Sequence, residues 1–352
     1  MANDILDILL ASARKEFERW RLRELTSRPE DRGWQPGLWA LVEDLGLPRC
    51  LAAEAHDGAD LPVADGLAVV RLAGEYALPV PLAETMLAHH LLSLAGLKGP
   101  DGPLTLAPVP PAAPLMQTRL SDGTLIVDGT AHRVPWGRDA NAVIAIAASA
   151  SGPVLIIAGK GGFEVRHGAN LASEPRDTLV FRNAPVLAHA PAPVTPDQLL
   201  CWGASLRVAQ MAGATVEALR VSVDYANTRE QFGRTIAKFQ VIQQHLAVLA
   251  GQSAICAGAA DIAARALAAN SDPFFGVACA KACAGEASTL AASIAHQVLG
   301  AIGFSSEHDL HRTTQRLLSW RDEFGAEAWW AGRLGEAALA AGGDGLWPLM
   351  TA

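Results

Sequence analysis

Tyr225-Ala-Asn-Thr-Arg-Glu-Gln-Phe-Gly-Arg-Thr-Ile-Ala-Lys-Phe-Gln240 is the stretch on which the reading of this chain turns. Upstream, Leu199 to Val223 reads as a helix made mostly of small and apolar residues, and a second helical pattern begins near Phe239. Between them Gln231-Phe232-Gly233 predicts a tight corner, because glycine accepts backbone angles that other residues resist. Arg229 beside that corner has two readings. It is a solvated charge of an ordinary helix-loop-helix, or it grips a phosphate, whose oxygens fit the guanidinium fork.

Composition narrows the classes of function. With 352 residues the chain exceeds a usual single domain, and 50% hydrophobic against 18% charged residues suits a globular protein with ample core. A net charge of −8 argues against nucleic acid as the main partner. No apolar run is read as approaching the ~18 residues of a spanning helix, so no membrane partner is expected. The start, Met1-Ala-Asn-Asp-Ile-Leu-Asp, is acidic and does not read as a signal peptide. Cys50, Cys201, Cys256, Cys279 and Cys283 form no CxxC pair. Cys279 and Cys283, one helical turn apart, read as packed thiols, and a reducing cytoplasm is the expected compartment.

The periodicity changes twice along the chain. Helical patterns cover residues 1 to about 97, including Ile5-Leu6 with Leu9-Leu10, and Trp39 to Leu45 closed by Gly46. Ala64 to Ala77 and Pro81 to Ala95 continue them. From about 103 to 194, short β-prone runs take over: Leu125 to Gly129, expected to end in a hairpin turn, then Ala142 to Ala147, Val154 to Ala158 and Leu179 to Asn183. Thr195-Pro196-Asp197 then supplies an N-cap, a first-turn proline and an acid for the dipole. Helices are expected at 196–226, 239–269, 274–299 and 309–340, with a fraying, interface-forming tail from Ala337 to Ala352. The predicted fold is α+β, mostly α: an N-terminal helical domain (1–100), a small middle β-domain (101–194) and a C-terminal four-helix bundle (195–352).

Tyr225, Arg229, Gln231-Phe232-Gly233, Ile236, Phe239-Gln240 and Gln243 resemble a C-terminal signature of the acyl-CoA dehydrogenases. His296-Gln297-Val-Leu-Gly300-Ala-Ile-Gly303-Phe304 with Glu307 resembles that family's other C-terminal signature. The resemblance implies FAD as cofactor, an acyl-CoA substrate and an electron-transferring flavoprotein or similar acceptor. It further implies the fold order already read from the pattern. By the same resemblance Arg229 holds the FAD pyrophosphate of a neighbouring subunit, and Gln231 and Phe232 line its adenine side. Gln297, Gly300 and Ala301 lie along the pyrophosphate or ribityl region, Ala301 standing where the family has glycine.

Two parts match the family poorly. Leu104 to Pro114, where flavin-contacting hydroxyls are expected, has four prolines and almost no hydrogen-bonding side chain. Trp136 reads as a flavin neighbour or, alternatively, as a core residue. The catalytic carboxylate is the second gap. The family's usual spacing from Gly303 reaches Phe324-Gly325, and the alternative place in the first bundle helix holds Trp202, Gly203 and Ala204. Glu323 and Asp322 adjoin the vacant place, and a one-residue slip would make Glu323 the base; otherwise they form a solvated charge group beside Arg321. His308 and His311 at i,i+3, with Glu307 beside them, make a metal site imaginable, but no third ligand is evident and no metal is expected; His56, His89 and His90 read as surface or interface residues.

Three functions follow from the resemblance. The chain is a self-sufficient FAD-dependent acyl-CoA dehydrogenase using Glu323 or Asp322. Or it resembles the short, degenerate small subunits of heteromeric members, including those acting on steroid side chains, which complete a flavin site while a larger partner brings the base. The third reading is a relative that oxidises something other than a thioester. A homo-oligomer or heteromer is expected in each case.

Overall fold

A computed structural model describes residues 2–24, 34–108, 110, 112–269, 271–305 and 307–351, with side chains described over 6–22 and from residue 34 onward within those ranges. The side chain of Ile5, and Val109 and Pro111 of the proline-rich stretch, therefore lie outside the described residues. The chain forms two compact units that meet in sequence between Trp202 and Gly203.

The first unit opens with α1 (Ala2–Glu24), α2 (Pro36–Asp44), α3 (Val63–Glu75) and α4 (Leu82–Leu94). Gly46 adopts φ +70 just beyond α2, the left-handed stop that its sequence predicts. Strands β1 (Leu104–Leu106), β2 (Leu115–Arg119), β3 (Leu125–Pro135), β4 (Ala142–Ser149), β5 (Gly152–Gly159), β6 (Glu164–Arg166) and β7 (Arg176–Pro191) follow. The sheet closes on itself, because β4 pairs with both β2 and β5 while β3 and β7 complete the ring. Closure removes exposed edges and encloses Leu115, Val127, Val143, Ile156 and Phe181 as one core. Thr85 ties α4 to β1: its hydroxyl accepts the Leu104 N–H at 3.0 Å and donates to Pro81 O at 2.7 Å.

Three expectations in this unit are corrected. Gly129 is not a hairpin turn: it sits inside β3 at φ +135, where the β3–β7 register shifts, and the β2–β3 turn lies earlier, around Gly123. A bulge needs the same backbone freedom as a turn, which makes the two alike in sequence. His89 is not at the surface but 4% exposed, and burial, with Arg49 adding to it, pushes its pKa down to about 4. His90 is half-buried, its Nδ1 3.0 Å from Leu51 O and its ring 4.9 Å from that of Trp202.

The second bundle begins with α5 (Pro196–Thr228), whose start is a reciprocal cap. Gln198 N–H donates to Thr195 Oγ1 at 3.1 Å, and Thr195 N–H donates to Gln198 Oε1 at 2.9 Å. α6 (Gln240–Ala268), α7 (Phe274–Leu299), α8 (Leu310–Asp322) and α9 (Glu327–Thr351) follow. Alanines of α5, α6 and α7 meet Leu317 and Trp320 of α8 in one core, small side chains permitting close helix approach. The helix expected at 309–340 is in fact α8 and α9, divided at Phe324 (φ +53) and Gly325 (φ +92). The expected tail is the second half of α9, kinked at Gly342, with Leu339 and Trp347 exposed. Cys279 is half-buried but Cys283 is exposed, so only one of that pair is packed. The expectation that no stretch approaches the length of a span is corrected: by length and composition alone Gln240–Ala268 and Phe274–Phe304 could cross a bilayer, and their most apolar windows are 33% and 50% buried within the structure.

Candidate functional site

α5 unwinds at Thr228, and the chain turns back through a miniature hairpin, β8 (Glu230–Gln231) with β9 (Arg234–Thr235). Its two-residue loop is Phe232 (φ +53) and Gly233 (φ +75), both left-handed as a type I′ turn demands. Phenylalanine in that region costs on the order of 1–2 kcal/mol, yet Phe232 is 91% exposed and buries little to offset it. The hairpin is anchored by Arg229 N–H on Tyr225 O and Ile236 N–H on Arg229 O, both at 2.8 Å. The Arg229 guanidinium is exposed and has no side-chain partner among the described residues. Arg234, by contrast, lies 4.2 Å from the centre of the Phe239 ring.

The second block ends α7. Gly300 takes φ +66 with ψ −144, and its N–H closes the helix on His296 O. A turn of 3₁₀ helix then runs to Phe304. Gln297, Gly300 and Ala301 are exposed, and nothing stands within 4 Å of where a Gly300 β-carbon would be. Gly303 faces inward, where a β-carbon would lie 3.1 Å from Leu299 Cβ. His296 stacks beneath the exposed Phe304 ring at 4.2 Å and shares a 2.8 Å hydrogen bond with Thr314 Oγ1. Burial first, then His311, lowers the His296 pKa. His308 and His311 are occupied locally: His308 Nδ1 accepts the Leu310 N–H, and His311 Nδ1 donates to His308 O.

These two corners share a foundation. Tyr225, Ala226 and Ile236 from the first pack in one apolar cluster with Leu299, Ile302 and Leu310 from the second. Arg229, Gln231, Phe232, Gln297, Gly300 and Ala301 thus stand at the same end of the bundle.

The α8–α9 turn carries the other chemistry. Arg207, 1% exposed on α5, donates from Nε to Glu323 Oε2 at 2.7 Å and from a terminal nitrogen to Gln210 Oε1 at 2.6 Å. The Phe324 ring lies over both Arg207 (5.3 Å) and Gly203, where an added β-carbon would come within 2.2 Å of it. Lys281, fully buried on α7, donates to Arg321 O at 2.5 Å and Gly325 O at 2.8 Å, capping the end of α8. Burial pulls its pKa down to about 7. Trp330 Nε1 fastens Phe324 O at 3.0 Å.

This geometry bears on the two acids read as base candidates. Glu323 is not a freely solvated acid: its side chain is 15% exposed and engaged by the Arg207 guanidinium. Asp322 is exposed and pairs with Arg321 at 2.9 Å. Trp136 is 5% exposed with its ring edge-on to Trp34, so the core role is the one its surroundings fit. Sequence reasoning missed Arg207 and Lys281. Each is a lone cation in an otherwise apolar helical stretch, and that isolation is the signal that could have found them.

Residues 197–338 match the acyl-CoA dehydrogenase C-terminal domain. Across this stretch and beyond it, the chain resembles the acyl-CoA dehydrogenase family. It is 29% identical over 285 residues to acyl-CoA dehydrogenase IpdE2 of Mycobacterium tuberculosis, covering 80% of each chain. To IpdE2 of Mycolicibacterium smegmatis it is 28% identical over 282 residues, covering 79% of this chain and 80% of the relative. Among solved structures, the steroid ACAD Tcur3481-Tcur3483 superposes with TM-score 0.84 at 23% identity, covering 97% of this chain and all of that one. Butyryl-CoA dehydrogenase of Megasphaera elsdenii gives 0.79 at 19% identity over 96% and 98%. As an acyl-CoA dehydrogenase or a subunit of one, the chain has FAD as its cofactor. The exposed, unpaired Arg229 guanidinium suits a pyrophosphate, and the open Gly300 corner leaves room for one.

Proposed function

We propose that this chain is the flavin-completing subunit of a heteromeric acyl-CoA dehydrogenase and that a partner chain supplies the catalytic base. The carrying observation is the Phe324 ring lodged on Gly203, with Glu323 fixed by Arg207. Dehydrogenation between Cα and Cβ of a thioester requires a carboxylate to take the α-proton. A phenyl ring cannot, and the neighbouring Glu323 carboxylate is already engaged by the buried Arg207 guanidinium. FAD, when bound, would supply the acceptor for the β-hydride. Arg229 would hold its pyrophosphate, reaching toward the cofactor of a neighbouring subunit, while Gln231 and Phe232 would line the adenine and Gln297, Gly300 and Ala301 would flank the pyrophosphate or ribityl chain.

In this reading residues 1–100, 101–194 and 195–352 act as helical, β and FAD-binding helical domains in the cytoplasm. Electrons pass to an electron-transferring flavoprotein or similar acceptor. Val241, Val248, Ile255 and Ile262 give α6 an apolar stripe repeating every seventh residue, each 40–56% exposed, which supports burial against another subunit. The names of two structural neighbours, a steroid ACAD and the ChsE4-ChsE5 complex of Mycobacterium tuberculosis, support a heteromer acting on a bulky acyl-CoA, such as a steroid side chain in β-oxidation. The test is to purify the chain alone and with its partner. Colourless, inactive protein that gains flavin absorbance and turnover with the partner is the expected result; yellow protein that turns over alone contradicts the proposal.

A further inference from the structure

The connection from β5 to β6, Gly159-Lys160-Gly161-Gly162, is a β-turn closed by Gly162 N–H on Gly159 O at 3.1 Å. Gly161 takes φ +87, the left-handed value that a type II turn requires at its third position. The outer glycines are needed for space. A β-carbon on Gly159 would lie 2.8 Å from Leu187 Cδ1, and one on Gly162 would lie 3.1 Å from Gly159 O. Lys160 N–H is tied to Asn141 O at 2.9 Å, so the base of the turn is pinned beside the start of β4.

Its tip is unoccupied by protein. Nothing stands within 4 Å of a Gly161 β-carbon position, and among the described residues the Gly161 N–H has no acceptor and the exposed Lys160 ammonium no ion-pair partner. The tip opens on a cleft of about 550 Å³ that Arg182 of β7 also lines. Arg182 is 71% exposed and only 3.5 Å from Glu164, a carboxylate already held by Arg166 at 2.8 Å. One carboxylate serves two guanidiniums, and no acid lines the cleft. Within a chain of net charge −8, this is a local surplus of positive charge. Pro185 and the 64% exposed Leu187 form an apolar wall beside it.

A point charge, a guanidinium fork and a free backbone N–H at a glycine turn together match a phosphate dianion. The volume exceeds what phosphate alone fills, and the apolar wall suits a group attached to it. We infer that this cleft binds a small phosphate ester, its phosphate between Lys160, Gly161 N–H and Arg182 and its apolar group on Pro185 and Leu187. The inference rests on the β-sheet unit and is independent of the flavin reading.

Isothermal titration of phenyl phosphate into the assembled, FAD-saturated protein tests it, since this probe is no fragment of the cofactor. The expected result is one saturable site per chain that weakens with salt, with inorganic phosphate binding about tenfold less tightly. A Lys160→Ala/Arg182→Ala variant is expected to lose on the order of tenfold or more in affinity with an unchanged flavin spectrum. Both side chains are exposed, so the fold survives. No saturable binding by the unmodified protein, equal affinity in the variant, or inorganic phosphate binding as tightly as phenyl phosphate would overturn the assignment.

Discussion

The ring of Phe324 rests on Gly203 so closely that a β-carbon there would come within 2.2 Å of it. Two residues 121 positions apart thereby fill each other's space where the family places its carboxylate. Gly203→Ala is expected to destabilise the protein by about 1–3 kcal/mol through overpacking. Denaturant unfolding measures it, and adding Phe324→Ala should remove most of the penalty of the alanine. Strictly additive losses would show that the two do not touch.

Arg207 and Glu323 form the ion pair beneath that ring. Arg207→Met takes from the largely buried Glu323 the guanidinium that engages its carboxylate. The expected loss is toward the lower end of about 3–5 kcal/mol, because the carboxylate keeps some solvent contact. Glu323→Gln in the same chain should recover part of the loss, as a thermal melt of the single and double variants would show.

Lys281 gives the α8–α9 turn a pH dependence. Its pKa is about 7 when folded against 10.5 as the reference value, so between those values the unfolded chain binds more protons. The cost of burying the charge is therefore fully present below about pH 7 and is relieved as pH rises toward 10.5, by up to about 1.4 kcal/mol per unit. Unfolding free energies of the unmodified chain should rise through that window relative to Lys281→Met. Parallel profiles for the two proteins would show that Lys281 does not titrate there.

Arg229→Ala is expected to weaken FAD retention by about 1.5–3 kcal/mol, the range for a hydrogen bond to a charged group. Because the side chain is exposed and unpartnered, the melting temperature of the flavin-free protein should stay put. Flavin release monitored by fluorescence checks the first expectation, and an unchanged affinity would remove Arg229 from the site.

Ile255 lies in the exposed seven-residue stripe of α6 at 47% exposure. Ile255→Glu should leave the isolated chain folded while splitting the assembly, since a charge cannot be buried against an apolar partner without heavy cost. Light scattering that shows an intact assembly in the variant would place the subunit contact elsewhere.

How much of this was legible in the sequence depends on what each signal encodes. The Arg229 corner could be read as a turn from its glycine, but its role and that of the Gly300 turn could be read only through their resemblance to the acyl-CoA dehydrogenase signatures. Thr195 read correctly as a cap, though its reciprocal partner Gln198 was not foreseen. The break at Phe324-Gly325 was hidden by helical periodicity on both sides, and phenylalanine is no turn former. Gly129 misled because bulges and hairpins ask the same freedom of the backbone. His89, Arg207 and Lys281 look like surface groups by residue type; only tertiary packing buries them.

The most direct test is the turnover number of the assembly carrying Glu323→Gln, measured with FAD and acyl-CoA saturating. With the base on the partner chain, turnover should stay within about twofold of the unmodified assembly. A loss of about 10²–10⁴, the usual effect of removing a general base, would make Glu323 the proton acceptor and contradict the account.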